Sequence, residues 1–243
     1  MKKLALFAGI IGLMGAIVWV AVSSTTVLSK VQLRGKIQQL SPDEVQTVIK
    51  PYLGKSFWRV DLEGLHADLV RLEWVYQAQV TRRWPNQLRV ALIEQTPVAR
   101  WQEDGLLNQV GEIFYPHQID GFQHLVKLDG EPLNAAKILQ TLATFQHQFD
   151  RMDWHIEKLA QQTDQSWQID FLSGSRLLVD DALQTAKITR FIRAYNKIDP
   201  TLRKFAQVYD LRYSNGFVIK RSNDDSEQHP NTQEQANPNR IEQ

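Results

Sequence analysis

Cysteine is absent from this sequence of 243 residues. Disulfide bonds, thiol nucleophiles and thiolate metal ligands are therefore excluded. An excess of charge of either sign is also absent, because 28 Lys and Arg are balanced by 27 Asp and Glu. Proteins dedicated to nucleic acid usually carry a strong basic excess, since neutralising phosphates drives their affinity. The composition thus argues against thiol chemistry and against a nucleic-acid partner.

The common catalytic and metal-binding motifs are missing as well. No pair among the six histidines has the HExxH spacing, and the chain contains no P-loop, G-x-G-x-x-G or G-x-S-x-G. Asp180-Asp181 suits a helix start and Asp224-Asp225 lies in polar sequence, so neither pair of carboxylates indicates catalysis. We predict no enzyme activity, no metal and no cofactor. A glycosidase acting on cell-wall glycan stays open as an alternative, because two acidic side chains suffice for it without a local motif.

One long apolar segment occupies residues 4–22, LALFAGIIGLMGAIVWVAV, directly after Lys2 and Lys3. As a helix these 19 residues would span about 28 Å, close to the hydrocarbon core of a bilayer. The alternative is a cleaved signal peptide, but the apolar cores of signal peptides are shorter and no clear A-x-A site follows. We therefore predict an uncleaved transmembrane helix over 4–22. The positive-inside rule places residues 1–3 in the cytoplasm and the chain from about residue 24 on the opposite side.

The other end of the chain, residues 222–243, is polar and holds Ile241 as its one large aliphatic residue. Such a segment cannot bury enough apolar surface to offset the entropy lost on ordering. We predict a disordered tail over 222–243, which leaves residues 24–221 for the folded part.

The pattern of residues 24–96 predicts strand, helix, helix, strand, strand. VLSKVQLRG indicates a first strand ending at Gly35. Ser41-Pro42-Asp43-Glu44 is typical of a helix start with a capping box. Asp61 can cap a second helix in which leucines recur at helical spacing. Two strands, 74–84 and 88–94, then form a hairpin joined through Pro85-Asn86-Gln87.

Residues 97–221 are richer in strand patterns. A helix is predicted over Ala135–Phe149 with Asn134 as its cap, and another over 182–196 capped by Asp180 or Asp181. The strands are predicted at 98–101, 112–115, 125–128, 154–160, 166–172, 176–179, 205–213 and 217–220. Together with the first segment, this predicts an α+β protein whose second domain is a mixed sheet with two helices.

Four arginines and two tryptophans fall within residues 81–101, TRRWPNQLRVALIEQTPVARW. Arg82, Arg83 and Arg89 flank the predicted hairpin turn. We interpret them as a solvated hairpin end whose side chains cover apolar surface. A cation–π contact of an arginine with Trp84 is a further possibility.

Several short motifs occur in one order along nearly the whole chain. They are Val31-x-Leu33-x-Gly35, Leu72-Glu73-Trp74-Val75, Val80-x-Arg82-x-Trp84-Pro85-x-x-Leu88, Glu94-x-x-Pro97-Val98-Ala99-Arg100-Trp101, Gly111-x-x-Phe114 and Asp210-Leu211-Arg212-Tyr213-x-x-Gly216. In this order and at these spacings, the chain resembles the FtsQ/DivIB family of bacterial cell division proteins. Residues 24–96 resemble the POTRA domain of that family.

The resemblance implies a non-enzymatic scaffold of the divisome. It would be a single-pass protein of the inner membrane at the division septum, with a cytoplasmic N-terminus and a periplasmic C-terminus. The β domain, residues 97–221, would bind the periplasmic parts of FtsB and FtsL, and so link early and late division proteins and control septal peptidoglycan synthesis. The POTRA domain and the transmembrane helix would contact other divisome proteins.

The resemblance also implies where FtsB binds. In the family, FtsB adds backbone to the sheet edge near the end of the folded domain, which is β-augmentation. On this chain the contact strand is predicted from Tyr213 to about Lys220. The predicted contact residues are Tyr213, Ser214, Asn215, Gly216, Phe217 and Val218. Asn215 and Phe217 depart from the family pattern, and so do Lys220 and Arg221.

Two alternatives to a partner-binding scaffold are compatible with the sequence. The last strand can simply close the sheet without binding any partner. The protein can also be a membrane-anchored cell-wall hydrolase or glycan-binding protein with a POTRA-like arm. Converging carboxylates in a groove of the second domain would favour the hydrolase, and an open edge at the C-terminal end of the sheet would favour the scaffold.

Overall fold

The computed structural model describes residues 11–15, 26–182 and 184–220. Residues 11–15 are helical, and the rest of the predicted transmembrane segment 4–22 lies outside the described residues, as does the predicted tail 222–243. Within the part of the chain that is described, no helix is both long enough and apolar enough to cross a membrane. Two compact units are formed: the first runs to Pro97 and adds Phe114–Gln118, and the second comprises Val98–Ile113 and the chain from Ile119 onward.

The first unit has the predicted order of strand, helix, helix, strand, strand. Its elements are β1 (Lys30–Arg34), α1 (Pro42–Ile49) followed by a 3₁₀ turn (Lys50–Tyr52), α2 (Leu62–Val70), β2 (Val75–Arg83) and β3 (Gln87–Glu94). The three strands form one sheet in the order β1-β3-β2. In it β1 runs parallel to β3, and β2 runs antiparallel to β3.

Local sequence signals explain where these two helices begin. At the start of α1, Pro42 occupies the first turn and the backbone N–H of Ser41 donates to Glu44 Oε2 at 3.4 Å. At the start of α2, Asp61 Oδ1 accepts from the backbone N–H of Gly64 at 2.9 Å. Both predicted helix starts are therefore confirmed.

The sheet of the first unit has one buried face. Leu88, Val90 and Leu92 of β3 are almost fully buried, and so are apolar residues of both helices such as Val45 and Leu65. The residues of β3 that alternate with them, which include Arg89 and Ile93, lie on the opposite face. This alternation is what a sheet covered by helices on one side requires.

Arg82 has a structural role that the sequence interpretation did not include. Its Nε donates to the carbonyl of Phe57 at 3.1 Å, and its Nη2 donates to the carbonyls of Trp58 and Val60 at 3.3 and 3.0 Å. Arg82 therefore fastens β2 to the connector that precedes α2. Among the described residues, the cation–π contacts are Lys55 over Tyr52 and Arg203 over Tyr195, so the contact considered for Trp84 is not formed.

The second unit contains most of a nine-stranded mixed sheet, as predicted for this part of the chain. Its strands are β4 (Pro97–Trp101), β5 (Gly105–Asn108), β6 (Ile113–Phe114), β7 (Lys127–Asp129), β8 (Ile156–Gln161), β9 (Trp167–Phe171), β10 (Arg176–Val179), β11 (Val208–Asp210) and β12 (Val218–Lys220). They lie in the sheet in the order β12-β11-β10-β9-β8-β7-β4-β5-β6. Parallel pairs join β4 to β7, β7 to β8 and β10 to β11, and antiparallel pairs join β8 to β9, β9 to β10 and β11 to β12.

Two longer helices pack against this sheet. They are α3 (Ala135–Phe149) and α4 (Gln184–Tyr195), and a short helix α5 (Pro200–Phe205) follows. The bounds of α3 are those predicted. Fully buried side chains of both helices, such as Phe145 and Phe191, share one core with the strand residues Trp167 and Tyr209. The α+β class is therefore confirmed.

Two expectations for the second unit were wrong, and one strand was missed. Asn134 precedes α3 but does not cap it with its side chain, because its Nδ2 donates to Gln161 Oε1 at 3.1 Å. The strand predicted over 205–213 is confined to Val208–Asp210. Its start is shorter because α5, capped by Asp199, extends to Phe205, and its end is shorter because Asp210 accepts from the backbone N–H of Arg212 and turns the chain. Strand β5 was not predicted, because all four of its residues are buried and show no alternation.

Candidate partner-binding edge

Strand β12 lies at one end of the nine-stranded sheet. Within residues 26–220, apart from the undescribed position 183, its one neighbouring strand is β11. The two strands pair antiparallel, with Val208 opposite Lys220 and Asp210 opposite Val218. A strand at the end of a sheet presents unpaired N–H and C=O groups on its outer side, which another chain can bind.

The six predicted contact residues divide into two sets. Val218 lies in β12 and is 40% exposed. Residues 213–217 form a loop between β11 and β12, so the contact strand predicted from Tyr213 is a strand only over Val218–Lys220. We call residues 213–217 the edge loop. Tyr213 is 55% exposed there, and a Cβ added at Gly216 would meet no heavy atom within 4 Å.

Phe217 anchors the edge loop to the core. Its ring packs edge-on against Phe191 of α4, with the ring centroids 5.3 Å apart. Phe217 is bulkier than the residue expected from the family pattern, and the contact with Phe191 explains why a large ring fits at this position. Of the predicted set, Phe217 is thus partly an internal packing residue, whereas Tyr213 and Val218 are exposed to solvent.

Helix α4 also holds the backbone of this region. Lys187 Nζ donates to the carbonyl of Arg212 at 3.2 Å and to Asp180 Oδ2 at 2.6 Å. One turn further along the helix, Arg190 Nη1 donates to the carbonyl of Ser214 at 3.0 Å. Two cationic side chains therefore fix the path of the chain between β11 and β12.

The turn that leaves β11 is fixed by a buried ion pair. Asp210 is 1% exposed, and its carboxylate accepts from Nε and Nη2 of Arg212 at 2.9 and 2.8 Å and from the Arg212 backbone N–H at 3.1 Å. These hydrogen bonds from Arg212 hold the pKa of Asp210 below its ordinary value, against the opposing effect of burial. The motif Asp210-Leu211-Arg212-Tyr213 is thus a clamp that directs the chain into the edge loop.

The surface beside the edge loop is cationic. Helix α4 exposes Arg190 and Arg193 and contains no acidic residue, whereas its Lys187 is paired with Asp180. Arg190, Arg193 and Lys197 line one groove on the surface of the helix. These residues were not among the predicted contacts, although a spacing of three and four residues without any acid places like charges close together on a helix. An edge with such a border favours a partner that carries carboxylates.

One further cleft bears on the alternative function. It is polar, and Asp129 and Glu131 line it together with Gln161 and Gln165. Lys158 Nζ lies 3.5 Å from Asp129 Oδ2, as in a structural ion pair. In the described part of the chain, no group of three or more His, Asp or Glu could hold a metal ion.

Comparison with known proteins identifies both units. A family model described as the FtsQ-type POTRA domain matches residues 27–95, and one described as the C-terminal part of the cell division protein FtsQ/DivIB matches residues 99–212. The second match therefore ends at Arg212, immediately before the edge loop. Together the two models cover most of the chain.

Individual relatives agree with these matches. The cell division protein FtsQ of Xanthomonas campestris is 29% identical over 203 residues, which are 82% of this chain and 72% of the relative. The protein of the same name from Allochromatium vinosum is 28% identical over 213 residues, 87% of this chain and 82% of the relative. That of Coxiella burnetii is 24% identical over 220 residues, 90% of each chain. The resemblance seen in the sequence motifs is confirmed, and the chain belongs to the FtsQ/DivIB family of cell division proteins.

Proposed function

We propose that this chain is a non-enzymatic scaffold of the divisome whose β12 edge and edge loop bind the periplasmic part of FtsB, and through it FtsL. The observation that carries this proposal is the position of β12 at the end of the sheet, continuous with the exposed edge loop. Membership of a cell division family supplies the biological setting. In this role the protein would link early and late division proteins and control septal peptidoglycan synthesis.

The partner would add a strand beside β12. Main-chain hydrogen bonds give such a complex its affinity, and neighbouring side chains give it specificity. Because β12 has three residues, backbone pairing alone offers few hydrogen bonds. Tyr213, Val218 and the cations of α4 would therefore contribute much of the binding free energy, and the partner segment should carry acidic residues opposite Arg190 and Arg193.

The edge is organised before the partner arrives. The Asp210–Arg212 ion pair, the Phe217 contact and the two α4 cations restrict the loop in the unbound protein. A restricted loop loses less conformational entropy on binding than a free one does. This arrangement supports a binding role for the edge, because a strand that only closes a sheet needs no such preparation of its exposed loop.

The remaining parts of the proposal concern topology and recruitment. The apolar segment 4–22 would be a single transmembrane helix, with the N-terminus in the cytoplasm and both units in the periplasm at the septum. The POTRA domain and this helix would contact other divisome proteins. A reporter enzyme that is active only outside the cytoplasm, fused after Ser222, should be active; an inactive reporter at normal expression would contradict the topology.

The test of the edge uses the full chain and a peptide of the FtsB periplasmic region. Gly216→Asp should weaken capture of the peptide strongly, because it places a carboxylate beside the partner strand. Gly121→Asp is the matched control, since Gly121 is also exposed and also has no heavy atom within 4 Å of an added Cβ. Equal affinity of both variants for the peptide would overturn the assignment of the edge.

A second candidate function is a cell-wall hydrolase or glycan-binding protein. The polar cleft with Asp129 and Glu131 is the observation that favours it. The double variant Asp129→Asn, Glu131→Gln distinguishes the two functions. The scaffold proposal expects unchanged FtsB capture and no change in glycan binding or hydrolysis, whereas the alternative expects loss of a glycan-directed activity that the unaltered chain possesses.

A further inference from the structure

The outer face of the POTRA sheet carries positive charge without any negative charge. This is the face opposite the buried Leu88, Val90 and Leu92, and the strand register places on it Lys30, Arg34, Arg83 and Arg89. We call these four residues the basic face. Three of them, Lys30, Arg34 and Arg83, are exposed, and Arg89 in the central strand is half-buried.

The register brings the four cations close together. Lys30 and Arg83 both pair across Gln87, on opposite sides of β3, and Arg89 follows two residues further along that strand. Neighbouring strands are about 4.8 Å apart, so the width of the face is comparable to one Debye length in physiological salt. Gln32 links the three strands through its side chain, because its Nε2 donates to Gln87 Oε1 at 2.9 Å and its Oε1 accepts from Arg83 Nη1 at 3.0 Å. Since glutamine is uncharged, it does not neutralise the cations.

The acidic residues of this unit lie elsewhere, in or beside the helices and at the end of β3. They are Asp43, Glu44, Asp61, Glu63, Asp68, Glu73 and Glu94. Glu94 has the same alternation as the buried residues of β3 and accepts from the backbone N–H groups of Gln38, Gln39 and Leu40. None of the four cations forms an ion pair within the described chain. Positive and negative charges therefore lie on different sides of this unit, and an external anion can pair with the cations of the basic face.

Two exposed apolar side chains lie near the basic face. Trp84 is in the hairpin turn directly after Arg83 and is 77% exposed, and Ile93 lies on the same side of β3 as Arg89 and is 54% exposed. An exposed tryptophan beside cations is typical of a protein surface that contacts the interfacial region of a bilayer. An acidic protein segment would use the cations, but it would leave this exposed tryptophan unexplained.

Chain length brings the basic face near the bilayer. Seven residues, 23–29, separate the apolar segment from Lys30, and fully extended they span at most about 25 Å. We propose that the basic face, together with Trp84 of the adjoining hairpin turn, lies against anionic phospholipid headgroups of the membrane that carries the chain. This inference rests on the proposed topology, and it adds a lipid contact that would set the orientation of the POTRA domain on the membrane surface.

The absence of cysteine makes the test direct, because one introduced cysteine takes a single dye. Gln79→Cys places the dye on the outer face, opposite Ala91 in the register. The full chain is reconstituted into vesicles of phosphatidylcholine alone or of phosphatidylcholine mixed with phosphatidylglycerol, each with acceptor dye on a fraction of the headgroups. Energy transfer should be greater in the anionic vesicles and should fall as salt is raised.

Removing charges from the basic face tests whether this face is responsible for the greater energy transfer in anionic vesicles. Lys30→Gln with Arg34→Gln changes two exposed cations that have no side-chain hydrogen bond to lose in the described chain. Each charge removed should lower roughly fivefold the ratio of protein whose POTRA domain contacts the lipid surface to protein whose POTRA domain does not. Trp84→Ala should lower it further. The matched control is Lys36→Gln with Lys50→Gln, which removes the same charge from outside the basic face and should leave the ratio unchanged.

The outcomes separate this inference from the proposed function. Capture of the FtsB peptide by the same vesicles should be unaffected by Lys30→Gln with Arg34→Gln, so loss of lipid contact with intact capture is the expected result. Equal energy transfer in neutral and anionic vesicles, or an equal loss in the control pair, would overturn the lipid contact while leaving the edge proposal standing. A third outcome would also overturn the lipid contact. If an acidic peptide alters the dye signal and a change of lipid composition does not, the basic face binds an acidic protein partner instead of the membrane.

Discussion

The two units of this protein expose different parts of a β-sheet. The POTRA sheet exposes a broad face, on which side chains of one charge stand in register across three strands. The second sheet exposes an edge, β12, which offers backbone groups beside a loop held in place from behind. A charged face acts over a Debye length and is indifferent to sequence, whereas an edge demands a partner of defined register. One chain can thus combine a general surface contact with a specific one.

Destroying the Asp210–Arg212 clamp should have the largest effect, and this effect should be confined to the second unit, which contains the edge. Asp210→Ala removes a buried carboxylate that accepts three hydrogen bonds from Arg212. We expect the free energy of unfolding of the second unit to fall by roughly 2–3 kcal/mol, together with FtsB capture. Urea unfolding followed by tryptophan fluorescence measures the first effect. Glu103→Ala is the control, because the glutamate side of its ion pair with Lys127 is solvent-exposed, and solvent screens exposed ion pairs so that they contribute little to stability.

Phe217→Ala and Tyr213→Ala should separate the stability of the edge from its binding. Phe217 packs on Phe191 in the described structure, so its truncation should cost roughly 2 kcal/mol and also weaken capture of the FtsB peptide. Tyr213 is 55% exposed, so its truncation should weaken capture and leave the unfolding midpoint unchanged. Tyr115→Ala, at 51% exposure, is the control for loss of an exposed tyrosine. An equally large drop in stability for Tyr213→Ala and Phe217→Ala would contradict the division of the edge loop into a packing residue, Phe217, and a binding residue, Tyr213.

Removing charge from α4 should affect the edge and spare the basic face. Arg193→Gln removes a cation of the groove beside the edge loop without breaking the hydrogen bond of Arg190 to Ser214. We expect about a tenfold rise in the Kd for the FtsB peptide at low salt, and a weaker salt dependence of binding. Isothermal titration at two salt concentrations measures both quantities. Arg34→Gln in the POTRA domain is the control, and an equal effect of the two variants would indicate non-specific attraction of the peptide.

Acid should unfold the edge region through Asp210. Because its folded-state pKa is depressed mainly by Arg212, the pair contributes stability that is present above the ordinary aspartate pKa of about 3.9 and is lost as the pH falls through the folded value. Asp210→Asn should therefore flatten the decline of stability of the second unit in acid. A decline of the same steepness in the variant would assign the acid sensitivity to other carboxylates.

The smallest change concerns Tyr52 in the POTRA unit. Its hydroxyl donates to Asp68 Oδ2 at 2.7 Å, and this hydrogen bond raises the pKa of Tyr52 to about 12. The contribution to stability is present below pH about 10 and is lost as the pH rises towards the folded value. Tyr52→Phe should cost about 1 kcal/mol at neutral pH, with FtsB capture unchanged. Loss of capture in this variant would mean that the two units do not function separately in binding.

The order of the elements could be predicted because each signal is local. Pro42 and Asp61 mark helix starts through groups within three residues, and α3 has the bounds that its apolar periodicity predicts. Two of the errors in the second unit share one cause. Gly105–Asn108 has no alternation because both its faces are buried, and Asn134 binds Gln161 instead of its own helix, so distant residues decided both cases.

The candidate edge could be predicted only in part. A resemblance to the family placed the partner near residues 213–218, and the exposed Tyr213 and Val218 remain candidates for direct contact. The division of that stretch into loop and strand was not visible, because it depends on Phe217 packing on Phe191. The cations of α4 were missed because a charged helix is usually a solvated surface, and nothing local shows that Ser214 lies beside it.

The sequence by itself determined the family, most of the order of helices and strands, and the absence of thiol chemistry. It determined them because caps, periodicity and ordered motifs are properties of neighbouring residues. Tertiary structure alone decided that β12 is an edge, that Arg82 fastens a connector and that Lys30, Arg34, Arg83 and Arg89 share one face. These depend on strand order and register, which join residues up to about sixty positions apart and carry no local signature.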